Sequence, residues 1–450
     1  MKLSVEPGDA RVDMPLSLRV SDAGPRADVK LTVETTDAGG ERWRSQAVYR
    51  ADAAGAVDVA RSPALSGTYK GVDGQGPLWS MRFAGAKGSV PRAFQFPATD
   101  LCLAVRADSG PGEDAGATVT RRVTAPSVTR TQHAGDGFAA VVFAPAGTGP
   151  VPAVAVLPGS TGARAVEPMA AFLASHGFLA MVVAYMEEPG LPPTLREVPL
   201  EALAAGVRDL AGHPRAAGGR VGVFSVSVGT GGALSLLARI PGLPVDAIVA
   251  VSPTSVVWQA LTAGPPQKVS GWTLDGQPLP WVPMRAEALM LGFAAGQIVS
   301  RLAGLAARVL PAGLAPPGSL LTPALRTRPA YAGGLRNRSA VEAAAIPVAD
   351  ITCPMMLLAG EADEVWPAAE MARDIHRRRD RAGRAAADEV VVFGEAGHFL
   401  RLPGMATTVT WTDSLRSGGT PPATAAAQRE SWARIPQFLH RHLDRAGHSV

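Results

Sequence analysis

The sequence predicts two folding units, a small β-sandwich followed by an α/β unit built on a parallel sheet, and three observations predict them. Over roughly the first 125 residues, apolar side chains alternate with polar ones in short runs bounded by Gly, Pro and Asp. From about Val141 the runs become apolar throughout and are separated by segments of helical period, the pattern of strands covered on both faces. The 450 residues are 47% hydrophobic and 18% charged, which supplies a sizeable core and excludes a disordered, collagen-like or coiled-coil chain.

The first unit, 1–128, places Leu16, Leu18 and Val20, then Val29, Leu31 and Val33, then Phe94 and Phe96, then Leu101, Leu103 and Val105 at every second position. Side chains two apart share one face of a strand, so each run buries that face against an opposing sheet. The second unit, 129–450, contains the strand VPAVAVL, a helix with Val166, Met169, Phe172 and Leu173 inward, the strand GFLAMVVAY and a helix using Leu203, Val207 and Leu210. RVGVF, a Gly- and Ala-rich helix and DAIVAV continue the alternation.

The alternation lapses over about 255–345, which reads as an insertion between two sheet strands. It holds a turn-rich piece, SGWTLDGQPLPWVP, and an apolar helical stretch at 285–310. Two roles fit that stretch: a lid or wall of an acyl pocket, or a packing helix that adds core. CPMMLLAG, a helix through Met371, DEVVVFGEAGHF and a last helix with Trp432, Ile435, Phe438 and Leu439 inward complete the unit. Pro436 should kink that last helix or mark its start.

Charge and cysteine content narrow the function classes. Lys and Arg number 43 against 39 Asp and Glu, a formal +4, and the cations are scattered Arg with only short clusters such as Arg377, Arg378 and Arg379. Without a basic face, no nucleic-acid partner is expected. Cys102 and Cys353 stand too far apart to frame disulfides or a metal cluster, so no metal or organic cofactor is expected. MKLSVEPGDARVDMP lacks the apolar run of a secretory signal, and Gln297, Arg301 and Arg308 interrupt the most apolar helix, so the expectation is a cytoplasmic protein without a membrane span.

The sharpest chemical signal is RVGVFSVSVGTGGALSLL, where an apolar strand ends at Phe224, a small-residue helix begins near Gly229, and Ser227 occupies the tight turn between them. In such a nucleophile elbow the strained turn lifts the hydroxyl off the carboxyl edge of the sheet, and the helix N-terminus favours developing negative charge. Ser225 stands where Gly is usual, and an ordinary strand-to-helix turn has the same ingredients, so the companions decide. A hydroxyl requires a base and an orienting acid. Asp363 in MMLLAGEADEVWP and His398 in VVVFGEAGHF follow successive apolar strands, in the order nucleophile, acid, base. Glu361 and Glu364 flank Asp363 as competing carboxylates, whereas His398 alone among the eight histidines follows a strand through a Gly turn. An oxyanion hole would use the N–H of Val228 and one from the loop PGSTG, either Ser160 or Thr161.

With these residues placed, the chain resembles the acyl-CoA thioesterase / bile acid-CoA:amino acid N-acyltransferase family. The resemblance is carried by RWRSQAVYRADAAGAVDVARSPALSGTYKGVDGQGPLWSM early in the chain and by LPGSTGARAVEPMAAFLASHGFLAMVVAY, VGVFSVSVGTGG, GEADEVWP and AGHFL later. It implies an immunoglobulin-like β-sandwich ahead of an α/β-hydrolase domain, with Ser227 as nucleophile, Asp363 as acid and His398 as base. Members that conjugate acyl groups to amino acids place Cys at the elbow, so Ser227 implies hydrolysis of an acyl-CoA through an acyl-enzyme. Three alternatives use the same residues: transfer to an amine or alcohol, a thioesterase for carrier-bound polyketide chains, and a carboxylesterase or peptidase. SGWTLDGQPLPWVP and GGTPPATAAAQRESW are similar to bacterial members, and the insertion looks longer than in the animal enzymes.

Overall fold

A computed structural model describes residues 1–85, 93–110, 112–261, 267–309, 324–412 and 415–444, so 262–266 and 310–323 of the expected insertion lie outside the described residues. The strands before residue 123 form two sheets around one apolar core. The larger sheet runs in the order Asp9–Arg11, Asp114–Arg122, Asp100–Asp108, Asp28–Thr36, Arg42–Arg50 and Ser66–Gly67, and the smaller joins Lys2–Glu6, Ser17–Ser21 and Val57–Asp58. Arg42–Arg50 illustrates the cause: RWRSQAVYR buries Trp43, Ser45, Ala47 and Tyr49 and leaves Arg42, Arg44 and Arg50 in solvent. The Trp43 indole N–H donates to Asp37 at 3.1 Å, which satisfies the one polar atom of a fully buried side chain.

Phe94 and Phe96 correct the sequence reading, because they alternate without forming a strand. The Gln95 N–H donates to the Asp37 carboxylate at 3.3 Å and its carbonyl accepts from Ala38 at 3.1 Å, so its backbone is engaged by a turn and not by a ladder. The two rings meet edge to face at 5.4 Å.

A third sheet of eight strands begins at Thr129–Gly135. Its order is Thr129–Gly135, Phe138–Ala144, Leu179–Ala184, Val151–Leu157, Ala216–Val226, Val245–Val251, Met355–Gly360 and Glu389–Phe393, antiparallel over the first three and parallel thereafter. Alternate residues of one strand feed opposite cores. Ala153, Ala155 and Leu157 join the cluster with Leu203, Leu234 and Met371, whereas Val154 and Val156 join that with Phe172, Trp432 and Phe438. At roughly 1.5–3 kcal/mol for each buried large aliphatic side chain, these two layers hold the sheet. Helices on both faces and the crossover order make this the α/β-hydrolase arrangement.

Pro436 does not start the last helix, which runs unbroken as Pro421–Leu443. A proline inside a helix costs about 3 kcal/mol, and burial of Trp432, Ile435, Phe438 and Leu439 outweighs it. The insertion does fall between Val245–Val251 and Met355–Gly360, which pair directly. Its long helix is Ala286–Val309. Leu291, Ile298, Leu302, Leu305 and Val309 stand exposed, and no described residue of the helix lines the cavity at Ser227. It packs on the short helix Arg328–Gly334, so apolar content here did not mean burial. Among the described residues, no helix is long and apolar enough to cross a membrane.

Candidate active site

Ser227 joins the strand Ala216–Val226 to the helix Val228–Arg239 with φ 52° and ψ −129°, a region that costs a residue with a side chain about 1–3 kcal/mol. Three local features hold it there. Its N–H donates to Val251 at 2.9 Å, the Thr230 hydroxyl donates to its carbonyl at 2.7 Å, and Gly229 lies against the Pro158 carbonyl, where a Cβ would collide. The small residue after the elbow is therefore a packing requirement of the turn.

Asp363 and His398 come to the same sheet edge. His398 Nε2 lies 2.9 Å from Ser227 Oγ, and His398 Nδ1 lies 2.7 Å from Asp363 Oδ2. The other Asp363 oxygen accepts the N–H groups of Val365 at 2.7 Å and Trp366 at 3.1 Å, so this fully buried carboxylate is hydrogen-bonded on both sides. With Nδ1–H donating to Asp363, Nε2 is left as the acceptor for the Ser227 hydroxyl. The competing carboxylates turn away: Glu361 pairs with Arg373, and Glu364 lies 3.2 Å from Arg326. His133, His176 and His440 pair with Asp209, Asp13 and Asp444, away from Ser227.

Several supporting residues carried no sequence signal. Ser252, with φ 50°, donates its hydroxyl to the His398 carbonyl at 2.8 Å, and the His398 N–H donates to Ser417 at 2.8 Å. From the insertion, Arg328 donates to the Asp363 carbonyl at 3.0 Å and Thr327 to the Val365 carbonyl at 2.7 Å, clasping the loop that carries the acid. Tyr185 reaches under the sheet edge to donate to Pro158 at 2.5 Å and fixes the base of the PGSTG loop.

The Ser160 and Thr161 N–H groups have no acceptor among the described residues, and the Val228 N–H is the first of its helix, where no intrahelical acceptor exists. All three residues line a cavity of about 870 Å³ together with Ser227 and His398. Phe94, Gln95 and Phe96 reach this cavity from the β part, Met284 and Tyr331 from the insertion, and Trp366 and Phe399 from the loops of Asp363 and His398. Burial and the nearby Asp363 charge push the Tyr331 phenol well above its ordinary range, so it remains a neutral O–H in that wall. Among the described residues no cluster of His, Cys, Asp and Glu is arranged to hold a metal.

Similarity to known proteins extends along the chain. Residues 13–134 match the acyl-CoA thioester hydrolase/BAAT N-terminal region, and residues 334–445 match the BAAT / acyl-CoA thioester hydrolase C terminal. Asp363 and His398 lie inside the second match, and Ser227 lies between the two. Acyl-coenzyme A thioesterase 5 of Mus musculus is 26% identical over 98% of this chain and 96% of its own length. Bile acid-CoA:amino acid N-acyltransferase of Mus musculus is 32% identical over 53% of this chain and 59% of its own length. Among solved structures, a thermostable esterase from Pseudomonas putida is similar at 14% identity and a TM-score of 0.40, covering 71% of this chain and 84% of that one. With both terminal regions of one family matched in order, and a relative aligned over nearly the whole length, the chain belongs to the acyl-CoA thioester hydrolase/BAAT family.

Proposed function

We propose that the protein hydrolyses acyl-CoA thioesters through an acyl-enzyme on Ser227. The observation that carries this reading is the continuous chain from Asp363 through His398 to Ser227, at 2.7 and 2.9 Å, on the wall of a largely apolar cavity. His398 Nε2 takes the Ser227 proton as Oγ attacks the thioester carbon. The N–H groups of Val228 and of Ser160 or Thr161 hold the resulting oxyanion. Collapse breaks the carbon–sulfur bond, and the thiolate leaves with the proton from His398. His398 then deprotonates a water that attacks the acyl-serine, and the carboxylic acid departs as the proton returns to Ser227. Asp363 keeps the imidazole in its reactive tautomer and stabilises its charged form. We also assign the two domains to 1–128 and 129–450 and read the first as an immunoglobulin-like sandwich, supported by its two facing sheets and by the start of the third sheet at Thr129.

Thiol release from a series of acyl-CoAs tests the reading. Ser227→Ala is expected to lower the rate by a factor on the order of 10⁴ or more. Full activity in that variant, or no acyl adduct on wild-type Ser227 in rapid-quench mass spectrometry, would sink it. The N-acyltransferase similarity favours one second reading, transfer of the acyl group to an amine. Products formed with glycine or taurine present decide between them: free acid in excess supports hydrolysis, and amide in excess supports transfer.

A further inference from the structure

The cavity has a charge that the chemistry at Ser227 does not use. Its charged lining residues are Arg164 and Arg401, both cations, and no carboxylate accompanies them among the described residues. Arg401 lies in the loop that follows His398. Its guanidinium carbon is 4.4 Å from the Phe399 ring centre, and that ring meets the His398 imidazole at 5.5 Å, so two ring contacts link the cation to the reacting groups.

Three other guanidiniums of the interior reach acceptors. Arg379 pairs with Asp388, Arg121 donates to the carbonyls of Val12 and Met14, and Arg328 donates to the loop of Asp363 and to Glu370. Arg401 is half-buried and has the face of Phe399 but no hydrogen-bond acceptor among the described residues. Burial pulls its pKa down to about 10, which still leaves it charged at neutral pH. A cation drawn out of water without an anion is unfavourable, and an anionic oxygen group entering the cavity relieves that cost.

We propose that Arg401 receives an anionic oxygen group of the thioester substrate and thereby sets specificity, an inference that rests on the thioesterase reading of Ser227. Two parts of a substrate carry such a group: a carboxylate on the acyl chain, or a phosphate on the thiol carrier. The lysine-like point charge is a poorer match than the planar guanidinium fork for either, although it keeps the attraction.

The experiment compares hexanoyl and adipoyl groups, each as the CoA thioester and as the N-acetylcysteamine thioester, in wild type, Arg401→Gln and Arg401→Lys. Ratios of kcat/KM within one variant cancel any general loss from misfolding. A roughly 10- to 100-fold fall in the adipoyl-to-hexanoyl ratio on both carriers in Arg401→Gln, partly restored in Arg401→Lys, supports the carboxylate. A similar fall in the CoA-to-N-acetylcysteamine ratio for both acyl groups supports the phosphate. Ratios that match wild type overturn the role of Arg401 while leaving hydrolysis at Ser227 intact. If wild type cleaves none of the four, the thioesterase reading falls. Calorimetric binding of the same four to Ser227→Ala and Ser227→Ala/Arg401→Gln then yields the same ratios and decides Arg401. Equal ratios, or no binding, overturn it.

Discussion

The strand Met355–Gly360 has a buried aspartate pair near each end, and the two pairs are completed differently. At its amino end, Asp388 accepts the Met355 N–H at 2.9 Å and two donors of Arg379 at 2.6 and 3.0 Å. Arg379 Nη1 also donates to the carbonyls of Val348 and Ile351, and its Nη2 is shared with those of Cys353 and Arg384, so both charges are enclosed within the fold. The neighbouring Cys353 thiol is pushed up to about 12 by burial and is inert at neutral pH. Past the carboxyl end, Asp363 and His398 are just as deeply buried, yet the imidazole passes its second nitrogen to Ser227 at a cavity wall. Burial of charge is common to both. A buried pair that serves stability is closed on itself, and one that serves chemistry keeps a single link open to the reacting group.

That contrast yields tests of decreasing size. Asp363→Asn should lower kcat by a factor on the order of 10⁴, because the imidazole loses its tautomer, while chemical denaturation reports only about 1–2 kcal/mol of lost stability. Asp388→Asn should do the reverse. It leaves the Arg379 cation buried without its anion, costing roughly 3–5 kcal/mol, and keeps kcat of the folded fraction within about twofold. The comparison breaks if Asp388→Asn abolishes turnover in a stable protein.

A third charge cluster lies between these extremes, where the β part meets the third sheet. Burial alone would raise the Asp13 pKa, but the His176 imidazole 3.1 Å away and the hydrogen-bonded Arg11 guanidinium outweigh it and lower the carboxyl from 3.8 to about 2. Because the folded value is depressed, the stabilisation is fully present above pH 3.8 and is lost as the pH falls towards 2. Asp13→Asn should therefore cost roughly 2 kcal/mol at pH 7, and the difference from wild type should vanish in denaturation curves taken near pH 2. The smallest effect belongs to the exposed helix of the insertion. Leu302→Gln should shift stability by no more than about 0.5 kcal/mol and leave acyl-CoA turnover unaltered. A large loss of turnover there would restore the lid reading that the exposure of Leu302 opposes.

The juxtaposition of Ser227, Asp363 and His398 was legible because each sits in a few residues of strand-then-turn grammar. Ser227, Asp363 and His398 follow apolar strands of one parallel sheet, and strands that run the same way end at the same edge. The groups that support them were not legible. Ser252, Tyr185, Thr327 and Arg328 act through single hydrogen bonds from turns and loops, and one polar residue in a loop has no periodicity to betray its partner. Arg379 belonged to a short cluster of three arginines in which nothing set it apart from Arg377 and Arg378, yet its side chain is completely buried against Asp388. Phe94 and Phe96 read as a strand and instead wall the cavity, since alternation reports which side chains share a face and says nothing about whether a neighbouring strand is there to pair.

By itself the sequence determined the β part, the parallel sheet, the tight turn at Ser227 and the strand ends at which Ser227, Asp363 and His398 lie, because periods of two and of 3.6 and the chemistry of turns act over a few neighbouring residues. Only the tertiary structure decided which aspartate closes on an arginine and which on a histidine, which aromatic side chains enclose Ser227, and that Arg401 stands in the cavity without an anion among the described residues. Those outcomes depend on distances between segments far apart in the chain, and pairing and desolvation energies follow from such distances rather than from local pattern.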